Sequence, residues 1–226
     1  MEGYIAAVVG DGGACLPPGW RSRIDSPADL FDLSDRTAIV TGGSRGIGLE
    51  AARLLAAAGA RVVIASRKAD ACEAAAAELA AGGADVLAVP CHVGKLEQID
   101  TLVERAVAHF GGIDILVNNA ANPLGLPIAD ITPEAWDSSF SVNLRGPVFL
   151  AKAALPHLRT SGRGVIVNVI SVGAFMFTPD QSMYGAAKAG LLAYTRSMAA
   201  EFAVDGIRVN AVAPGTTDTK MTRDTG

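Results

Sequence analysis

From Arg36 onward, short apolar runs of strand length alternate with segments of helical periodicity, and this alternation leaves few folds open. Residues 37–41, 61–65, 86–89, 113–117, 165–170 and 207–212 read as strands. Between them, 46–58, 69–81, 96–110, 133–158 and 181–203 place apolar residues on one helical face, with breakers inside the fourth at Gly146-Pro147 and Pro156. Consecutive strands joined by helices of this length cannot pair as hairpins. They form a parallel sheet covered on both faces, so a doubly wound, Rossmann-type α/β domain is predicted.

A chain of 226 residues with 50% apolar and 19% charged residues has enough apolar surface for one such globular domain. The formal net charge of −4, with no Lys/Arg run, gives no electrostatic basis for nucleic-acid binding. Cys15, Cys72 and Cys91 are widely spaced, which predicts neither a disulfide framework nor a zinc knuckle and points to a reducing, cytoplasmic setting. His92, His109 and His157 are isolated, so no metal site is expected. The first residues lack a signal-peptide pattern, and no apolar run has the length of a membrane span. Residues 1–33 are dense in glycine and proline and read as an irregular N-terminal extension to a domain over 34–226. Within the extension, Gly10-Asp11-Gly12-Gly13 imitates a phosphate loop, but Pro17-Pro18 follows and no helix start is available to receive an anion.

The segment Thr41-Gly42-Gly43-Ser44-Arg45-Gly46-Ile47-Gly48 joins the first strand to the first helix. Glycines permit a tight turn and close approach of a pyrophosphate, and the helix start offers free N–H groups. The second strand ends Ala65-Ser66-Arg67-Lys68, without the acid that would grip a ribose 2′-hydroxyl. Arg67 and Arg45 suit a 2′-phosphate instead, so NADP is expected over NAD.

At the other end of the domain, Tyr184 and Lys188 stand four residues apart on one helical face. An ammonium beside a phenol lowers its pKa from near 10, the tuning that general acid–base catalysis needs. Ser171 closes the fifth strand, where this fold places ligands, and its hydroxyl can stabilise charge developing on a substrate oxygen. Between Ser171 and Tyr184, Phe175, Met176 and Phe177 suggest an apolar pocket wall.

Thr41-Gly42-x-x-x-Gly46-x-Gly48, Asn118-Asn119-Ala120, Asn143, Ser171, Tyr184-x-x-x-Lys188 and Pro214-Gly215 together resemble the short-chain dehydrogenase/reductase family over residues 36–226. The resemblance implies a Ser-Tyr-Lys-Asn tetrad. Tyr184 acts as general acid in carbonyl reduction and as base in alcohol oxidation, and Ser171 polarises the substrate oxygen. Lys188 tunes Tyr184 and bonds the nicotinamide ribose, while Asn143 anchors a proton-relay water. By the same resemblance Gly42, Ser44, Arg45, Ile47 and Gly48 hold the pyrophosphate and ribose, Asn119 borders the adenosine, and Thr217 and Thr219 approach the nicotinamide and pyrophosphate. A small carbonyl or secondary-alcohol substrate and a homo-oligomer, tetramer or dimer, are implied as well. A 3-oxoacyl-thioester substrate is the main alternative.

Three positions depart from the family pattern. Ala121 stands where glycine is usual, which is tolerable if its φ is negative. Cys91-His92-Val93 replaces the usual Asp-Val that meets the adenine amino group; neutral His92 accepts a hydrogen bond there in the matching tautomer. This run, with Ser66-Arg67, resembles the NADPH-dependent carbonyl and retinal reductase branch. The pattern also continues past the sixth strand with substrate-lid helices, a further helix and a seventh strand. These are expected to be missing from this stretch of sequence rather than from the natural protein, because the catalytic residues all survive. A chain truly ending here would instead suit a non-catalytic nucleotide-binding role, with its sixth strand an exposed sheet edge.

Overall fold

A computed structural model of the protein describes residues 31–219 and 223. The chain divides between Asp32 and Leu33 into two units. The first lies almost wholly outside the described residues, as does nearly all of the extension expected over 1–33. The second is built on six parallel strands, β1 (Thr37–Thr41), β2 (Arg61–Ser66), β3 (Val86–Pro90), β4 (Ile115–Asn118), β5 (Val165–Val169) and β6 (Arg208–Val212). They lie in the order β3-β2-β1-β4-β5-β6. Helices α1 (Gly46–Ala57), α2 (Ala69–Ala81), α3 (Leu96–Phe110), α4 (Pro133–Phe140), α5 (Gly146–Ser161) and α6 (Ser182–Phe202) connect them. This is the expected doubly wound α/β architecture.

Alternate strand residues feed two cores. Ile39, Val63, Leu116 and Ile166 pack with Leu102 of α3, Leu150 and Leu158 of α5 and Phe202 of α6. Ala38, Val40, Val62 and Ile64 pack with Ala52 of α1 and Cys72, Ala75 and Leu79 of α2. Strands β1 and β4 are buried along their whole length, which is why they read as continuous apolar runs rather than alternating ones. Among the described residues no helix is long and apolar enough to cross a membrane.

The helical bounds expected over 69–81 and 96–110 match α2 and α3. The second ends at Gly111 with φ 83°, a left-handed cap that glycine adopts without strain. The breakers expected within 133–158 do not break the helix. Helix α4 runs into α5 through one π turn, Ser141–Arg145, in which the Gly146 N–H donates to Ser141 O. Pro147 is the second residue of α5, which follows the π turn directly. Pro156 lies inside α5, which continues to Ser161 regardless.

At the amino edge of the sheet, buried Asp114 ties β1, β4 and the end of α5 together. Its carboxylate accepts from Thr37 N (2.8 Å), from Arg163 Nε (2.9 Å) and from the Ser161 hydroxyl. Burial works to raise its pKa, but the bonds from Ser161, Thr37 and Arg163 outweigh it and hold the carboxyl below its ordinary value. Replacing Asp114 by alanine is expected to destabilise the fold by about 2–3 kcal/mol, seen as a lower Tm. A depressed carboxyl gives stability that is fully present above its unfolded value of about 3.9 and lost as pH falls through the folded value. Acid melts are therefore expected to show a steeper loss for the parent chain than for Asp114→Ala.

Candidate active site

The strand order reverses between β1 and β4, and a crevice opens there across the carboxyl ends of the sheet, with a volume of about 720 Å³. One end is the loop from β1 to α1. Gly42 (φ 64°) and Gly46 (φ 55°) adopt left-handed turns that a side chain would strain. No side chain caps the start of α1, so its first N–H groups remain available to an anion. Gly42, Ser44, Arg45, Gly46 and Ile47 line the crevice. Ser44 Oγ donates to Ser66 Oγ at 2.8 Å and joins the loop to the end of β2.

Gly48 was expected to touch the cofactor, but it is not among the crevice-lining residues. It stands behind the loop, where an added Cβ would lie 2.3 Å from Gly42 O and 2.4 Å from Asn119 Nδ2. The missing side chain lets the helix pack closely against the loop. Asn119 lines the crevice, yet its amide is committed to the same loop, donating to Thr41 O (2.9 Å) and Gly42 O (3.3 Å).

Arg67, His92 and Val93 line the crevice as expected, joined by Ser66, Lys68, Asp70 and Cys91. Asp70, an acid among these cations, escaped sequence reasoning because it belongs to the first turn of α2 rather than to the strand end. The expected acceptor role of His92 is corrected. Its Nδ1 already accepts from Gly94 N at 3.1 Å, so in the neutral ring the proton sits on Nε2, which is a donor. Burial, with Arg67 and Lys95 nearby, lowers the imidazole pKa and keeps the ring neutral.

At the other end stand Ser171, Tyr184 and Lys188, all in the crevice wall. Lys188 is 1% exposed, and its Nζ donates to Val169 O at 2.7 Å. Burial pulls its pKa down to about 8. The same Nζ lies 5.7 Å from the centre of the Tyr184 ring. Burial raises Tyr184, with a hydrogen bond to the Ser171 side chain pulling the other way. Ser171 Oγ also accepts from Gly173 N at 3.1 Å, which fixes its rotamer at the end of β5.

Asn143 is fully buried in the π turn and does not line the crevice. Its carboxamide clamps Asn122, which does line it: Oδ1 accepts from Asn122 N (3.0 Å) and Nδ2 donates to Asn122 O (2.7 Å). A second Nδ2 bond goes to Ser139 Oγ (3.3 Å). Both amide protons are thereby used within the protein. Thr217 and Thr219 line the crevice, and Thr219 packs over Gly46. Ala121 has no positive φ, so glycine is not needed there. Phe175, Met176 and Phe177 are not in the crevice wall; they are 64%, 66% and 98% exposed on the segment that follows β5.

The sequence profile described as "short chain dehydrogenase" matches residues 36–226. The chain is 43% identical over 192 residues to dehydrogenase/reductase SDR family member 4 of Homo sapiens, covering 84% of this chain and 69% of that protein. It is 38% identical over 190 residues to an uncharacterized oxidoreductase of Staphylococcus aureus (strain MRSA252), covering 84% and 81%. Among solved structures, a dehydrogenase/reductase from Sinorhizobium meliloti 1021 superposes with a TM-score of 0.80 at 35% identity, covering 84% of this chain and 76% of that one. The residues here fit a nicotinamide cofactor, with an uncapped helix start and two left-handed glycines at one end of the crevice and a buried ammonium beside a phenol at the other. The chain belongs to the short-chain dehydrogenase/reductase family and is a nicotinamide-dependent oxidoreductase.

Proposed function

We propose that the protein reduces a small carbonyl compound with NADPH, Tyr184 supplying the proton, and catalyses the reverse oxidation of a secondary alcohol. The observation that carries this reading is the convergence of Ser171, Tyr184 and Lys188 on the crevice whose far end is the glycine loop. When bound, the cofactor supplies or accepts the hydride. Ser171 orients the substrate oxygen and polarises it. Tyr184, whose phenol burial keeps protonated, donates its proton in reduction and takes it back in oxidation. Lys188 binds at the nicotinamide end through its ammonium, and Asn143 acts by fixing Asn122 in the wall. Gly42, Ser44, Arg45 and Ile47 hold the phosphates, with Thr219 closing over Gly46. His92, through Nε2–H, and Val93 border the adenine.

Arg45, Arg67 and Lys68 against Asp70 leave a net positive charge near the ribose, which supports NADPH over NADH. Arg67→Ala is expected to weaken NADPH binding about tenfold to a hundredfold while leaving NADH binding within about twofold, as read by fluorescence titration. Tighter binding of NADH than NADPH by the parent chain would remove this preference. A homo-oligomer and a cytoplasmic location belong to the same proposal; free, buried Cys72 and Cys91 suit a reducing compartment. Oxidation of NADPH with a panel of aldehydes, ketones and 3-oxoacyl thioesters tests the reading as a whole. Cofactor binding without turnover of any of them counts against it.

A further inference from the structure

A polar chain crosses the core beneath the crevice and joins its two ends. Asn118 and Asn168 are register partners on β4 and β5, and Asn118 Nδ2 donates to Asn168 Oδ1 at 2.8 Å. Asn168 Nδ2 then donates to Thr195 Oγ1 at 2.9 Å, and Thr195 Oγ1 donates to Leu191 O at 2.7 Å. Asn118 is 2% exposed, Asn168 0% and Thr195 4%. Such groups are desolvated at a loss unless bonded, and here they bond one another in sequence, with Asn118 Nδ2 also donating to Pro147 O at 3.4 Å.

Each end of this line abuts a functional element. Asn118 is followed by Asn119, whose amide holds Thr41 O and Gly42 O of the glycine loop. Asn168 is followed by Val169, whose carbonyl accepts the Lys188 ammonium. Thr195 lies on α6, and the spacing of Tyr184, Lys188, Leu191 and Thr195 puts all four on one stripe of that helix. An apolar contact can slide by an ångström with little penalty, whereas a hydrogen bond fixes both distance and direction. We infer that Asn168 and Thr195 are positioning residues: they lock the register of α6 on β5 and so set the placement of Tyr184 and Lys188 relative to the glycine loop.

This inference rests on the assignment of Tyr184 and Lys188 proposed above. Thr195→Val keeps shape but removes the hydroxyl, stranding the Asn168 amide. With whichever of 4-nitrobenzaldehyde, 2,3-butanedione and an acetoacetyl thioester is turned over fastest, kcat is expected to fall by about tenfold or more, as misplacement of an ångström or less does. The NADPH dissociation constant is expected to stay within about twofold, because the loop is held separately by Asn119. Thr195→Ser, which keeps the hydroxyl, restores kcat. Asn168→Leu provides the same reading from the sheet side, and kcat is expressed per NADPH site titrated so that a poorly folded preparation does not distort it. An unchanged kcat in Thr195→Val overturns the inference, as does a parallel loss of NADPH binding, which marks general structural damage. Tyr184→Phe is run beside it. If that variant stays active, the catalytic assignment has failed; if it is dead while Thr195→Val is kinetically normal, only the positioning role has failed.

Discussion

Lys188→Met is expected to lower kcat/KM for carbonyl reduction by about a thousandfold or more without lowering Tm at pH 7. Most single replacements of a fully buried residue lose activity and stability together, and this one separates them. The ammonium is buried to 1% exposure, with Val169 O as its acceptor. Burial moves its pKa from 10.5 to about 8, so the folded state binds the proton less tightly than the unfolded chain does. Between about pH 8 and the unfolded value of about 10.4, stability therefore rises as the proton is lost, and below pH 8 the buried charge is a net burden on the fold. An uncharged methionine of similar length relieves that burden while removing the ammonium beside Tyr184 from the crevice wall. The same shift gives a pH dependence. If the ammonium form is required, kcat/KM of the parent chain declines as pH rises through about 8, and the decline is absent from the residual activity of Lys188→Met. A pH profile of kcat/KM together with a thermal melt checks both halves.

The second large effect belongs to Gly48. An alanine there places its methyl group 2.3 Å from Gly42 O and 2.4 Å from Asn119 Nδ2. Neither neighbour is a flexible side-chain end: one is backbone, and the other is held by two hydrogen bonds. The loop must move, and with it the turn that Gly42 makes at φ 64°. Gly48→Ala is expected to weaken NADPH binding by about a hundredfold or more and to destabilise the fold by about 1–3 kcal/mol. Gly112→Ala is the control, because a Cβ there meets nothing within 4 Å; it should change neither quantity appreciably. Fluorescence titration with NADPH and a denaturant melt on both variants distinguish local overpacking from a general sensitivity to glycine replacement.

Much of the architecture was legible because its signals are local. Gly82-Gly83 and Gly111-Gly112 stop helices whose apolar faces are periodic, and α2 and α3 fall within those marks. The break expected near Gly146-Pro147 did not occur because the π turn over Ser141–Arg145 carries the chain from one helix into the next and takes up the mismatch at the proline. At the site, most of the motif residues, though not Gly48 or Asn143, come together in one crevice, but several of their relations depend on the third dimension. Asp70 lines the crevice from the first turn of α2, beside the end of β2. The direction of the Asn143 amide depends on the path of the Asn122 loop. The tautomer of His92 is set by Gly94 N, two residues away, through a turn no periodicity reveals.

The assignment of proton transfer to Tyr184 is tested most directly by Tyr184→Phe, with NADPH affinity and carbonyl-dependent NADPH oxidation measured on one preparation. The account predicts a turnover lowered by about a thousandfold or more with NADPH binding within about twofold of the parent. Turnover retained above about a tenth of the parent level would contradict it, since the proton would then have to come from another group.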